Sequence, residues 1–174
     1  MSDAILPPLT FVLGGARSGK SVHAERMLTA RPGPWAYIAT AEARDDEMRR
    51  RIDVHKSRRG SGWVQYEAPI KLADTLLNRT SELPCLVDCL TFWLANLMLG
   101  GRTIDSETES LELALSKRIA PAIVVSNEVG LGIVPDNALA REFRDEAGKL
   151  HQRIANLADQ VIFVAAGLPM RLKG

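Results

Sequence analysis

The segment from Gly14 to Ser21 constrains the fold more than any other part of the chain. It reads Gly-Gly-Ala-Arg-Ser-Gly-Lys-Ser and matches the Walker A pattern, in which four residues separate two glycines and Lys-Ser or Lys-Thr follows. An apolar run at residues 9–13 precedes it, and a helix-compatible run at 21–29 follows. This order predicts a P-loop NTPase fold. The alternative is a chance glycine turn beside a surface lysine.

The chemistry of this segment suits a phosphate group. Glycines let successive backbone N–H groups point at one phosphate, and the following helix adds the positive end of its dipole. Lys20 supplies a positive charge, and the Ser21 hydroxyl can bind Mg²⁺. We therefore predict nucleotide contacts throughout the loop, from Gly14, Gly15, Ala16, Arg17, Ser18, Gly19, Lys20 and Ser21.

Apolar, β-branched runs alternate with helical patterns along the whole chain. Strands are predicted at residues 9–13, 36–39, 64–66, 83–87, 122–126 and 161–165, and helices at 21–29, 45–58, 72–78, 90–99, 107–119 and 137–158, with Asn137 as a helix cap. Such alternation predicts an α/β fold with a mostly parallel central sheet and helices on both faces.

Composition narrows the class of protein and its partners. The chain has 174 residues, of which 46% are hydrophobic and 25% charged, so we expect one globular catalytic domain over residues 1–174. A net charge of +1 gives no support to binding of nucleic acid or of a membrane surface. Without a signal peptide or an apolar run of spanning length, a cytoplasmic protein is expected. Cys85 and Cys89 are expected to be reduced, structural thiols.

Asp88 and His55 are the two reactive candidates outside the loop. Asp88 follows a buried apolar strand, where a Walker B aspartate would reach Mg²⁺; a helix cap would look the same. His55 shares a predicted helix face with Met48 and Ile52, so it points inward or into a cleft. It is either a core histidine or, beside the phosphate-binding donors Lys56, Arg58 and Arg59, a nucleophile toward phosphorus. His23 and His151 are expected to be structural or solvated.

Seven segments of the chain together carry a family resemblance. They are Gly14 to Ser21, Tyr37-Ile38-Ala39-Thr40, Asp45-Asp46-Glu47-Met48, Arg51-Ile52 with His55-Lys56, Trp63 with Glu67, Val87-Asp88-Cys89-Leu90-Thr91, and residues 126–135 (Ser-Asn-Glu-Val-Gly-Leu-Gly-Ile-Val-Pro). In this order they resemble the bifunctional adenosylcobinamide kinase/adenosylcobinamide-phosphate guanylyltransferase family. The loop alone would not identify the family. Its order with the histidine segment and with residues 126–135 is specific, and the resemblance spans nearly the whole chain.

The resemblance implies two reactions in cobalamin biosynthesis. The aminopropanol hydroxyl of adenosylcobinamide is phosphorylated by ATP or GTP, and GMP is then transferred from GTP through a guanylylated histidine, here His55, to give adenosylcobinamide-GDP. It also implies a homotrimer and a GTP site that includes, besides the loop, Ile38, Ala39, Thr40, Lys56, Ser57, Arg58, Arg59, Glu67 and Asp88. The metal ligands would be Ser21 and Asp88, and the partners would be adenosylcobinamide, its phosphate and GTP or ATP.

Alternatives remain for the activity and for two acids. A simple P-loop small-molecule kinase would use the same loop with a structural His55. A regulatory GTPase is disfavoured, because Asn127-Glu128-Val129-Gly130 lacks the lysine and aspartate of the guanine-reading Asn-Lys-x-Asp motif. Glu67 could be an exposed loop acid or could contact guanine or ribose. Glu128 could be a loop acid, or it could activate a hydroxyl or hold a metal.

Overall fold

A computed structural model describes residues 6–42 and 60–174, and within them one sheet forms the centre of the molecule. Its strands are β1 (Leu9–Gly14), β2 (Trp35–Ala39), β3 (Trp63–Glu67), β4 (Cys85–Asp88), β5 (Ala122–Asn127), β6 (Gln160–Ala165) and β7 (Leu168–Lys173). Their order across the sheet is β3-β2-β4-β5-β1-β6-β7. Every neighbouring pair is parallel except β6 and β7, which confirms the predicted mostly parallel sheet.

Helices connect the parallel strands. They are α1 (Lys20–Thr29), α2 (Leu72–Asp74), which continues as a π-helical turn at Thr75–Arg79, α3 (Leu90–Leu99), α4 (Ile104–Ser116) and α5 (Ala138–Leu157). Asn137 caps α5 as predicted, because its side chain accepts a 2.7 Å hydrogen bond from the Ala140 N–H. The predicted helix at 45–58 lies outside the described residues. No helix of the described ranges has the length and apolar character needed to cross a bilayer.

The two faces of the sheet bury separate apolar clusters, one beneath α1 and one beneath α2–α5. Ala24 and Leu28 of α1 pack against Ile123 and Val125 of β5, whereas Val124 of the same strand belongs to the opposite cluster. Consecutive residues of a strand point to opposite faces, so β5 must be apolar at every position to serve both clusters. This explains the uninterrupted run at residues 122–125 and confirms that helices cover both faces.

The strand β7 was not predicted, and its environment explains why. It pairs antiparallel with β6 at one edge of the sheet, and all six of its residues are exposed. It includes Pro169, which cannot donate a backbone hydrogen bond and argues against a strand in sequence. An edge strand of this kind lacks the continuous apolar run by which the buried strands are recognised.

Two predicted helices differ in extent from the observed ones. The predicted helix at 107–119 runs instead from Ile104 to Ser116, and the predicted helix at 72–78 ends in the π-helical turn. Arg118 follows α4, and its guanidinium donates hydrogen bonds to the carbonyl oxygens of Leu76, Thr80 and Leu83 and to Thr80 Oγ1, at 2.6–2.9 Å. These bonds lie beyond the C-terminal end of α4 and connect it to the π-helical turn and to the segment that follows that turn.

Candidate nucleotide-binding site

The loop between β1 and α1 is shaped by glycines at its two ends. A Cβ atom at Gly14 would lie 2.5 Å from the carbonyl oxygen of Val164, so no larger residue fits without a backbone shift. Gly19 has a φ of 96°, in the left-handed region, and a Cβ there would approach Gly167 Cα to 3.2 Å. Gly167, in the turn between β6 and β7, donates a 2.8 Å hydrogen bond from its N–H to the Ser18 carbonyl oxygen. The loop is thus held from both sides in a tight curl at the start of α1.

Lys20 places a buried ammonium group in this loop. Its side chain donates a 3.1 Å hydrogen bond from Nζ to the Gly15 carbonyl oxygen. Burial lowers the pKa of Lys20, and the nearby Cys89 and Asp88 oppose that shift. Because burial raises the pKa of Cys89 to about 11, this thiol is neutral near pH 7 and Asp88 provides the negative charge. Within the described part of the chain Lys20 makes no ion pair within 4 Å, which suits a cation that binds an anionic ligand.

Asp88 ends β4 at the same edge of the sheet. Its Oδ2 accepts a 3.1 Å hydrogen bond from the hydroxyl of Tyr37, which lies on the neighbouring strand β2. The residue that caps α3 is Cys89, not Asp88. The competing interpretation of Asp88 as a helix cap is therefore wrong, and the residue lies at the edge where parallel sheets bind ligands.

Ser21 and Asp88 are suitable donors for Mg²⁺. Both present oxygen, the atom that Mg²⁺ prefers, and Mg²⁺ is commonly held by one or two protein groups together with phosphate oxygens and water. Among residues 6–42 and 60–174 no three His, Cys, Asp or Glu side chains cluster at metal-binding distances. The oxygen atoms of Ser21 and Asp88 fit a metal whose other ligands are phosphate oxygens and water.

Ile38, Ala39 and Thr40 lie at the end of β2 and are buried. The Ala39 carbonyl oxygen accepts a bond from the Ala68 N–H, and the Thr40 N–H donates to the Asp88 carbonyl oxygen. Thr40 Oγ1 donates to the Cys89 carbonyl oxygen at 2.6 Å and accepts from the Cys89 N–H at 2.8 Å. These contacts make the segment a support for the Asp88–Cys89 corner. Its direct contact with nucleotide stays a prediction.

The two uncertain acids have different surroundings. Glu67 is exposed at the end of β3, which is four strand spacings, or about 19 Å, from β1 across the sheet. Only a part of a nucleotide remote from the loop, such as its base, could reach it. The Glu128 carboxylate accepts hydrogen bonds from the N–H groups of Gly130, at 2.6 Å, and Leu131, at 3.1 Å. It closes its own loop, which favours the structural interpretation of Glu128.

Two residues near the site were missed from sequence, Tyr37 and Asn127. The Asn127 side chain donates from Nδ2 to Thr91 Oγ1 at 2.8 Å, at the end of the strand beside β1. Tyr37 and Asp88 are 51 positions apart, and only the sheet order brings them together. The remaining site candidates, His55, Lys56, Ser57, Arg58 and Arg59, lie outside the described residues.

Two features define the P-loop NTPase class of nucleotide-binding folds. One is the loop between β1 and α1. The other is an acidic residue, here Asp88, at the end of β4, a strand that β5 separates from β1. The same fold occurs in a prototypical ATPase from the type III secretion system of pathogenic bacteria. The two chains superpose with a TM-score of 0.56 at 12% identity, covering 95% of this chain and 57% of the other.

Residues 10–172 match the family model described as cobinamide kinase/cobinamide phosphate guanyltransferase. The chain belongs to this family. It is 49% identical over 166 residues to the bifunctional adenosylcobalamin biosynthesis protein CobP of Pseudomonas aeruginosa, covering 94% of this chain and 96% of the relative. It is 41% identical over 184 residues to the bifunctional adenosylcobalamin biosynthesis protein CobU of Salmonella typhimurium, covering 95% and 99%.

Proposed function

We propose that this protein carries out two successive reactions in cobalamin biosynthesis. It phosphorylates adenosylcobinamide with ATP or GTP, and it then transfers GMP from GTP to the product, forming adenosylcobinamide-GDP. The observation that carries the proposal is the family match over residues 10–172, which includes a well-formed phosphate loop. The whole chain would serve as one catalytic domain.

The kinase step would depend on the described residues of the loop. Lys20 would neutralise charge on the β- and γ-phosphates, and the loop N–H groups would hold the phosphates in place. Ser21 and Asp88 would hold Mg²⁺, which neutralises charge on the phosphate oxygens when it is bound. The Tyr37 hydroxyl would keep Asp88 in one orientation. Phosphoryl transfer needs positioning and charge stabilisation more than a covalent protein group, and these residues supply both.

The guanylyl step needs a nucleophile, and His55 is the proposed one. Its imidazole would attack the α-phosphorus of GTP, a nitrogen–phosphorus bond would form, and pyrophosphate would leave. The phosphate of the cobinamide intermediate would then displace the histidine. Support comes from the sequence, where Lys56, Arg58 and Arg59 follow the histidine and would stabilise phosphate charge. The Ser57 hydroxyl of the same segment would contribute a further hydrogen bond to phosphate. Covalent catalysis divides one difficult displacement into two easier ones.

Labelling separates this proposal from a simple P-loop kinase. GTP carrying label in its α-phosphate should leave an acid-labile, alkali-stable label on the wild-type protein. His55→Ala should take up no label and lose guanylyl transfer while it retains measurable phosphorylation of cobinamide. His151→Gln is a matched control, because His151 is enclosed between α5 and the sheet, and this variant should label normally. An unlabelled wild-type protein under turnover conditions would reject the guanylylated histidine.

We further propose Mg²⁺ as the metal, the cytoplasm as the location and a homotrimer as the assembly. Support for assembly comes from β7, where Leu168, Met170 and Leu172 alternate along the strand and are 69%, 50% and 62% exposed. Leu168 and Met170 share one face of this edge strand and the exposed Leu172 lies beside them at a β-bulge, which favours contact with another protein surface. Sedimentation equilibrium should give three times the 19.1 kDa chain mass, and a monomer at micromolar concentration would contradict the trimer.

A further inference from the structure

Asn127 lies on a strand that directly flanks the start of the phosphate loop. It is the last residue of β5, and in the parallel register it lies beside Gly14, the first glycine of the loop. Adjacent strands are about 4.8 Å apart, so the two backbones run side by side at the carboxyl edge. Because Asp88 pairs with Val125, Asn127 lies two residues further toward that edge.

The side chain of Asn127 lies on the face of the sheet that α1 covers. Residues two apart on a strand share a face, and Ile123 and Val125 pack in the cluster with Ala24 and Leu28 of α1. Asn127 continues this series past the end of the buried cluster. Its side chain is half-buried and contacts Thr91 in the first turn of α3.

Two contacts orient the Asn127 amide. Its Nδ2 group donates to Thr91 Oγ1 at 2.8 Å and, more weakly, to Cys89 Sγ at 3.6 Å. Thr91 Oγ1 and Cys89 Sγ are themselves 2.9 Å apart. The Nδ2 group is therefore directed at the β4–α3 corner. No described residue donates a hydrogen bond to Asn127 Oδ1, so this oxygen is the polar atom that a ligand can meet.

The geometry points to Asn127 Oδ1 as the acceptor that holds the attacking hydroxyl group during phosphoryl transfer, with Thr91 as the residue that positions it. This inference rests on the proposed function. A carbonyl oxygen is repelled by phosphate oxygens but accepts a hydrogen bond from an alcohol or a water molecule. Its place beside Gly14 lets it hold such a group next to the phosphate that the loop binds.

The transfer step balances without a proton-accepting role for Asn127. The hydroxyl oxygen forms a bond to the γ-phosphorus, the bond between that phosphorus and the β–γ bridging oxygen breaks, and nucleoside diphosphate leaves. The hydroxyl proton passes to water, since an amide oxygen is too weak a base to keep it. Asn127 contributes orientation, which is a large part of catalysis in phosphoryl transfer.

The test compares Asn127→Ala and the nearly isosteric Asn127→Leu with wild type. Two rates are measured, phosphorylation of cobinamide and basal hydrolysis of the triphosphate by water, together with the Kd for a non-hydrolysable GTP analogue. We expect kcat for both rates to fall about 10- to 100-fold while the Kd changes less than about threefold. Rates within about threefold of wild type in a folded variant would overturn the inference. So would a Kd that weakens as much as the rate falls.

Thr91 supplies a matched pair of variants for the positioning role. Thr91→Val removes the hydroxyl that accepts from Asn127 but keeps the shape, and Thr91→Ser keeps the hydroxyl. We expect Thr91→Val to lower kcat about 5- to 20-fold and Thr91→Ser to stay near wild type. Equal rates for the two variants would contradict the role of Thr91. Basal hydrolysis separates this inference from the proposed function. If cobinamide is not phosphorylated at all, the proposed function fails, and the effect of Asn127 variants on hydrolysis alone decides the inference.

Discussion

Tyr37 and Asp88 meet at 3.1 Å, where the phenolic hydroxyl of one strand donates to the carboxylate Oδ2 of the next. The two residues lie on the same face of the sheet, at the edge that holds the phosphate loop. The bond directs one oxygen of Asp88 toward β2 and leaves the other for a ligand. The orientation of the proposed Walker B carboxylate therefore depends on a residue of another strand.

Tyr37→Phe tests this dependence. Removing the hydroxyl should lower the kinase rate about 3- to 10-fold and raise the Mg²⁺ concentration needed for the half-maximal rate. A hydrogen bond to a charged group contributes about 1.5–3 kcal/mol, and only part of that free energy orients Asp88. A Mg²⁺ titration of the initial rate measures both effects. Tyr66→Phe is the control. Tyr66 lies on β3, and the Arg79 guanidinium lies over its ring. The same Mg²⁺ dependence in both variants would show that Tyr37 does not orient Asp88.

Gly14 and Gly15 are adjacent but should respond differently to alanine. A Cβ at Gly14 would meet the Val164 carbonyl oxygen at 2.5 Å, whereas one at Gly15 would meet no described atom within 4 Å. Gly14→Ala should destabilise the fold by about 2 kcal/mol or more, as other overpacked sites are destabilised. Gly15→Ala should stay within about 0.5 kcal/mol of wild type in the ligand-free protein. Urea unfolding without nucleotide measures both, and equal midpoints would disprove the steric distinction.

His151 should make stability depend on pH. Burial lowers its pKa from 6.5 to about 4, partly opposed by Glu128, and its Nε2 lies 2.8 Å from Ser126 Oγ. Between about pH 6.5 and 4 the unfolded chain binds a proton that the folded protein does not, so the free energy of unfolding should fall with falling pH. The shift corresponds to about 3 kcal/mol over that range.

His151→Gln should remove most of this decline, which urea unfolding at a series of pH values between 7 and 4 would measure. Glutamine does not titrate and can still bond to Ser126. His23→Gln is the matched control: burial also lowers the pKa of His23, but less strongly, so the decline should largely remain. Parallel stability curves for wild type and His151→Gln would refute the assignment.

Arg118 should contribute to stability without affecting nucleotide binding. Its guanidinium bonds three carbonyl oxygens and one hydroxyl at the end of the sheet opposite the phosphate loop. Arg118→Lys keeps the charge but has fewer donors, so it should cost about 2 kcal/mol, or about 4–8 °C in Tm. Arg102→Lys, at an exposed pair with Glu107, should change stability by less than about 0.5 kcal/mol. A weakened nucleotide Kd in Arg118→Lys would contradict this separation of roles.

The features that were predicted from sequence are those that depend on neighbouring residues. The phosphate loop has its strand, glycines and helix within about twenty positions, and the continuous apolar run of β5 directly reflects burial on both faces. Asn127 was missed because its importance comes from lying beside Gly14, more than a hundred positions away. The order β4-β5-β1 is a property of the assembled sheet, and no local pattern encodes it.

The hydrogen bond from the Gly167 N–H to the Ser18 carbonyl oxygen has a practical consequence for experiments in solution. This amide belongs to the turn between β6 and β7, and its acceptor is part of the phosphate loop. Its exchange with deuterium should slow when a ligand orders the loop. The turn before the last strand would then act as a built-in reporter of nucleotide occupancy, readable by mass spectrometry without a label at the site itself.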